Sequence, residues 1–548
     1  MQNTMCSGRS EGELFRILAF ASALFALATV QFARAHDGGA REAKLGEVHF
    51  KVECNATAQA EFNVAMAYYH SFQWQRAIAT ADRVLQADPT CGMAHWVKAL
   101  AMLDNPFAWP ITLSMKAMTE GPVLLDAARK AGLKNQRERD YVEALAVFFN
   151  GLDKTNYRER AGAFEAAMAQ LAQRYPEDSE ATVLYALFLS RNFDPADKTY
   201  SNQLRAAKLL APIFSREPNH PGVAHYLIHS YDYPPLAKYG VEAARRYANI
   251  APDAPHALHM PSHIFTLTGL WQESIETNRR AAATADDSIT HDGHHASDYM
   301  VYAHLQLSQD LAARKVLEQE RAGHGIDMFG VAYPYAAIPA RIALERAAWQ
   351  EAANLPLYPA QDAYPWKKYP QAEAINAFAR GIGSAMSGEP AKANVEVKRL
   401  TEFRDAAAGM RLSYWADQID IQIEIVRGLT AFAENKCDEG IAMLRRAADR
   451  EDAVAKNVIT PGPIVPAREM LATALERGGK PADALAEFEK VLEQEPNRYR
   501  AIAGAAHSAT RAGNEQKAIY YSKRLLELTE HADSPRPEIA EARRMLAR

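Results

Sequence analysis

Apolar residues in this chain recur at helical spacing, in pairs of segments separated by short polar turns. In "AYYHSFQWQRAIATADRVLQADPTC", Ala77 stands at +9 from Tyr68 and Pro89 at +12 from Ala77. "ALERGGKPADALAEFEKVLEQEPNRY" repeats both intervals with Leu475, Ala484 and Pro496, and sets Phe488 on its second arm. "GNEQKAIYYSKRLLEL" opens another unit with Gly513 and Ala518. Each unit predicts a helix, a tight turn, a second helix and a closing proline. The small residue lets the two helices approach closely. The proline ends the second helix because it lacks the N–H that would continue the hydrogen-bond ladder.

Looser units fill the rest of the chain. Residues 92–160 contain an interrupted pair around "DNPFAWP", and 160–220 run longer than one unit. Residues 333–353, 370–405 and 412–450 read as further pairs. Helix pairs of this kind cannot bury their apolar faces alone, so they stack. The spacing is that of the tetratricopeptide (TPR) repeat. It predicts an all-α, right-handed TPR-type solenoid in two stretches, 36–354 and 371–548. Between them, "LPLYPAQDAYPWKKYP" (355–370) predicts an ordered loop, because its tyrosines and Trp366 call for burial.

Composition narrows the choices. A chain of 548 residues exceeds one ordinary core, which stops growing near about 250–300 residues; a repeat array escapes that limit. The net charge of −5 lacks the basic footprint of a nucleic-acid binder. Residues 1–35 differ in kind. "FRILAFASALFALATVQFARA" carries Arg16, an apolar run and Ala33-Arg34-Ala35, which reads as an export signal cleaved after Ala35. No later run reaches the roughly 18 apolar residues of a membrane span. A periplasmic or secreted protein, free of the membrane after cleavage, is the expectation. His36 would then be the first residue. Three cysteines would remain: Cys54, Cys91 and Cys437. Cys54 and Cys91 stand in loops before successive helix pairs, so they form a disulfide in an oxidising compartment or all three stay free.

The candidate chemistry is histidine. Ten of the 17 histidines lie between His220 and His304. The closing prolines Pro218 and Pro252 are separated by one repeat length, about 34 residues. His225 and His259 follow them at +7, and His229 and His263 at +11. Residues four apart share a helix face at about 6 Å along the axis, and packed helices lie about 8–10 Å apart. Four imidazoles from two helices can therefore point at one centre in a groove spanning 220–304. Pro261 is expected in the first turn of its helix. In the next helix, His295, Asp298 and Tyr302 are expected to face the same groove, with His256 occupying the place of His295 one repeat earlier. The metal-ligand candidates are thus His225, His229, His259, His263, His256, His295 and Asp298. Neutral imidazole suits a transition metal ion such as zinc, copper or iron, and Asp298 would ligate, orient a ligand or act as a base. Tyr231 and Asp232 would close the site or cap the helix. The other readings are a polar groove that grips a peptide without metal, and plain packing. A weaker group (His49, His70 and His95, with Trp96, Asn105, Phe107 and Trp109) reads as core or groove packing.

No G-x-S-x-G, P-loop, dinucleotide glycine fingerprint or H-E-x-x-H is present, so no catalytic residue is assigned. The segments "LGEVHFKVECNATAQAEFNVAMAYYHSF", "HPGVAHYLIHSYDYP", "APHALHMPSHIFTLTGLW" and "VITPGPIVPAREMLATAL" resemble a group of exported bacterial TPR proteins. The resemblance implies a helical solenoid and no particular activity. Sequences of that group often carry a histidine near position 457, where this chain has Asn457. Three functions follow: an exported scaffold holding a metal in its groove, a hydrolytic or oxidative metalloenzyme with Asp298 or Tyr302 assisting, or a scaffold that binds an extended peptide or protein partner in the concave groove.

Overall fold

The computed structural model describes residues 43–547, apart from 111, 152–155, 195–196, 287–289 and 324. The expected export segment and His36 lie outside the described residues. Leu45 to the C-terminus forms one compact unit, built among the described residues from α-helices and short 3₁₀ turns. No described helix is long and apolar enough to cross a membrane.

The hairpin turn is the repeating device. Ala56–His70 is followed by Ser71, Phe72 and Gln73 before Trp74–Ala87 begins. The middle residue of that turn is left-handed. The same three-residue turn recurs with Gly269, Ser308, Ala347, Gly388, Arg411, Asn435, Gly479 and Gly513 at its centre, φ running from 52° to 76°. Glycine takes this conformation freely. A side chain there costs about 1–2 kcal/mol, so Phe72, at φ 54°, has to be held by its surroundings. The small residues expected at the crossings are fully buried: Ala77, Ala484 and Ala518 all have 0% exposure. Asparagine and serine side chains cap several helix starts, Asn55 accepting from the Ala58 N–H and Ser114 from the Ala117 N–H.

In the loop at 355–370, Tyr364 and Trp366 are buried, and Tyr358 and Tyr369 are half-buried. Trp366 is buried and donates its indole N–H to the Pro359 carbonyl at 2.9 Å. It interrupts the repeat pattern without dividing the core, since buried residues on both sides of it pack into one cluster running from Val331 to Ala542. Cys54 and Cys91 form a disulfide, and Cys437 is free. The bridge closes 37 residues of chain, so Cys54→Ser/Cys91→Ser should lose about 2–4 kcal/mol of stability. Denaturant unfolding with and without reductant measures it. A difference under about 0.5 kcal/mol, the size of an ordinary surface substitution, would contradict the role given to the bridge.

The concave side is not open at the histidines. The Phe72 turn and Phe107 cover them from the N-terminal side. The segment after the helix Cys437–Asp452 covers them from the C-terminal side, through Lys456, Val458 and Thr460. The superhelix also meets itself: the Trp271 indole donates to the Asn497 carbonyl at 2.9 Å, and Asp533 accepts from the Leu311 and Ala312 N–H groups. The protein's own chain therefore packs over part of the groove expected over 220–304, at the histidines.

Candidate metal centre

Three helical segments present the central histidines. Pro221–Tyr231 starts on a proline, where a missing N–H costs nothing, and carries His225 and His229 one turn apart. The next segment differs from expectation. It begins at Pro255, well before Pro261, and breaks at Met260 into Pro255–His259 and Pro261–Leu267. Pro261 thus opens the second piece of an interrupted helix. The break sets His256 and His259 on one piece and His263 on the other. Asp292–Gln306 supplies His295.

The rings gather as two triads instead of one four-ring centre. His225, His229 and His256 offer ring nitrogens that lie within 4.8 Å of one another, and so do His259, His263 and His295. Five of the six side chains are buried, and His256 is half-buried. The triads adjoin, His256 and His259 having ring centroids 6.4 Å apart. The repeat register correctly paired His225 with His229 and His259 with His263. It could not show that a helix break would send His256 to the earlier pair.

Hydrogen bonds set the tautomers. His225 donates through Nδ1 to the His70 carbonyl at 2.6 Å. His259 donates through Nδ1 to the Asn278 Oδ1 at 2.7 Å, and Asn278 is oriented by its own NH₂ donating to the Ser274 carbonyl. His263 donates through Nδ1 to Asp232 at 2.8 Å. Their Nε2 atoms consequently carry lone pairs. His259 Nε2 and His263 Nε2 then face each other at 3.0 Å with no proton between two neutral rings. His225 Nε2 lies 3.2 Å from His256 Nε2. Two more ring nitrogens, His229 Nε2 and His295 Nδ1, are buried without a hydrogen-bond partner. Only a proton or a cation relieves the 3.0 Å contact. Burial opposes the proton: desolvation, then the neighbouring imidazoles, hold His225, His229, His256, His259 and His295 well below the usual imidazole range. Burial also lowers His263, with Asp232 acting in the opposite direction. Burial alone would raise Asp232, but Lys456 at 3.4 Å and His263 hold it below the ordinary carboxylate range. A carboxylate or amide oxygen behind a histidine is the arrangement that orients a metal ligand, so this donor set fits a transition metal.

Aromatic rings wall the site. Phe107 stacks on His229 at 3.9 Å, and Phe72 lies 4.3 Å from His225 and 5.1 Å from His256, centroid to centroid. These contacts hold Phe72 in its left-handed turn. Tyr299 stacks on His263 at 5.0 Å and donates its hydroxyl to the Thr460 carbonyl.

Two expected residues face elsewhere. Asp298 has 0% exposure and is bound by Arg341, whose Nε lies 2.9 Å from one carboxylate oxygen. Arg341 also donates to the Pro463 and Gly462 carbonyls. Asp298 is therefore corrected from a metal-ligand candidate to half of a buried ion pair: one helix turn after His295, it meets an arginine on the helix Phe329–Glu345. Tyr302 likewise turns from the histidines to Glu495, at 2.8 Å, and Arg498. Neither is placed to assist chemistry at the rings.

A third cluster supports the site from behind. Glu180 joins His70 Nε2 at 3.0 Å and His220 Nε2 at 2.9 Å, and His70 Nδ1 meets the Tyr226 hydroxyl. Gly222 makes room, since a Cβ there would lie 2.5 Å from His70 Nδ1. With these nitrogens partnered, the cluster fixes His70, whose carbonyl orients His225. His70, Glu180 and His220 also bring their ligand atoms within 4.8 Å of one another. Glu180, Asn278 and Lys456 carried no signal in the sequence: Glu180 lies 110 positions from His70, Lys456 reaches the site through Asp232, and Asn278 belongs to no motif.

No family description and no curated protein matches the sequence. Solved structures do align with most of it. Yeast Tom70 matches at 11% identity over 89% of each chain, with a TM-score of 0.30. The Cut9–Hcn1 hetero-tetramer of the APC/C matches at 13% over 96% of this chain and 82% of the other, with a TM-score of 0.26. Naa15/Naa10 bound to HypK-THB matches at 10% over 89% and 78%, with a TM-score of 0.25. The fold is an all-α TPR-type solenoid. Its repeated hairpins, left-handed turns and buried small residues establish that on their own.

Proposed function

We propose that this protein is a solenoid scaffold that holds a histidine-ligated transition metal between the helices Pro221–Tyr231 and Asp292–Gln306. The carrying observation is the His259–His263 contact: two Nε2 lone pairs 3.0 Å apart, each ring committed through Nδ1 to another acceptor. A cation there turns a repulsive contact into two bonds. The covered concave face supports a retained ion over a freely exchanging one, and the Cys54–Cys91 disulfide supports export to an oxidising compartment. His225, His229, His256, His259, His263 and His295 would hold the metal. Asp232, Asn278 and the His70 carbonyl would orient the rings.

Elemental analysis of protein isolated from its native envelope tests this reading. Wild type should carry metal, and His259→Ala/His263→Ala should lose most of it. Asn278→Ala should weaken affinity by about 10–100-fold, since the orienting acceptor is gone. Metal-free wild type, or equal loading in the double variant, would refute the centre.

A second reading, a scaffold for a protein partner, draws on a different place. Solenoids hold partners along extended surfaces, and a cavity of about 720 Å³ opens among His49, Lys51, Arg137, Arg174, Glu177 and Arg216. Its mixed charges suit a polar segment of a partner. Association that survives a chelator and is lost in Arg174→Glu/Arg216→Glu would favour this surface. Association abolished by the chelator alone would exclude it.

A further inference from the structure

We propose that the six imidazoles form two adjacent ion sites, one per triad, and that the matching ion is monovalent copper; this rests on the metal reading above. Each triad is complete in itself, with three ring nitrogens within 4.8 Å of one another. Each has its own orienting acceptors: the His70 carbonyl for the first, and Asn278 and Asp232 for the second. Each also contains one buried ring nitrogen without a hydrogen-bond partner, on His229 and on His295. A single ion in the second triad would leave that of His229 unsatisfied, and a single ion in the first would leave the 3.0 Å contact between His259 and His263.

Charge selects the ion. The donors are all neutral nitrogens, a set that suits zinc, copper, iron and nickel alike. Among the described residues, the one carboxylate hydrogen-bonded to the six rings is Asp232, which is already paired with Lys456 at 3.4 Å. Two divalent ions would put four positive charges into a desolvated interior with no free anion to offset them. At equal separation their mutual repulsion is about four times that of two monovalent ions. Zinc also completes its shell with a fourth ligand, whereas monovalent copper is satisfied by three nitrogens in a trigonal arrangement. The Phe72 and Phe107 rings pack against His225, His256 and His229 in the first triad, and Tyr299 packs against His259 and His263 in the second. Apolar and aromatic surroundings favour the ion of lower charge.

Full-length protein stripped of metal and titrated anaerobically with Cu(I) against a chromophoric competitor tests the proposal. Wild type should take up two tightly held equivalents. His225→Ala/His256→Ala and His259→Ala/His295→Ala should each retain one, with unchanged helical circular dichroism. One equivalent in wild type would overturn the paired site and leave a single centre standing, and no uptake of any metal would overturn both. Zinc held in two equivalents as tightly as copper would overturn the choice of ion. Because the wild-type stoichiometry decides the main point, misfolding of a variant leaves the test intact.

Discussion

Metal-free protein should lose stability steeply below pH 6.5. In the unfolded chain an imidazole has a pKa near 6.5, whereas His225, His229, His256, His259 and His295 sit well below it when folded, chiefly because burial penalises the charged ring. The unfolded chain therefore binds more protons than the folded one as pH falls, and stability falls with it. The contribution is fully present above pH 6.5 and is lost as pH drops towards the folded-state values. Asp232 favours protonation of His229 and His259, and Lys456 opposes that of His229. Each ring that stays neutral costs about 1 kcal/mol by one pH unit below its ordinary value, so the set costs several kcal/mol. Thermal unfolding of chelated protein between pH 8 and 5 should show the fall, and His259→Ala/His263→Ala should flatten it. A midpoint that stays level to pH 5 would mean that the rings are solvated or already protonated.

Arg498→Ala should cost about 3–5 kcal/mol, the range for breaking a buried charge pair. Arg498 is fully buried and bonds Glu345 at 2.7 Å, Glu469 at 2.6 Å and the Tyr302 hydroxyl at 2.8 Å. Those partners lie on the helices Phe329–Glu345, Ala467–Arg477 and Asp292–Gln306. One guanidinium thus ties repeats that are distant in sequence and holds the C-terminal repeats against the histidine-bearing helix. Removing it leaves the fully buried Glu345 and Glu469, and Glu495 beside them, without their main counter-charge; Arg500 reaches Glu469 at 3.0 Å. Adding Glu345→Gln and Glu469→Gln to Arg498→Met should recover most of the loss, because uncharged groups need no counter-charge. Chemical denaturation of the three proteins measures both effects. A loss under about 1 kcal/mol in Arg498→Ala, no more than an exposed ion pair contributes, would show that the network is not what closes the superhelix.

Much of the histidine arrangement was readable in one dimension. The interval between Pro218 and Pro252 placed His225 beside His229 and His259 beside His263, because a helix face repeats every three to four residues and a solenoid repeats its helices in register. The same rule failed for Asp298. Helical spacing puts it close to the His295 face, but which neighbour it meets depends on the opposing helix, and there Arg341 offers a full charge where the histidines offer none. Asp298 therefore pairs with the group that best offsets the cost of burying a carboxylate.

The amino-acid sequence by itself determined the helical hairpins, the turns between them, the ordered loop around Trp366 and the two His-x-x-x-His pairs, because each depends on residues within one repeat. Only the tertiary structure decided that the rings divide into two triads, that Asn278, Asp232 and the His70 carbonyl set their tautomers, and that Phe72 and Phe107 pack on the rings while Lys456 reaches Asp232. Those contacts join residues from 19 to more than 200 positions apart. Their geometry follows from how each repeat is rotated on the last, which no local pattern of polar and apolar residues encodes.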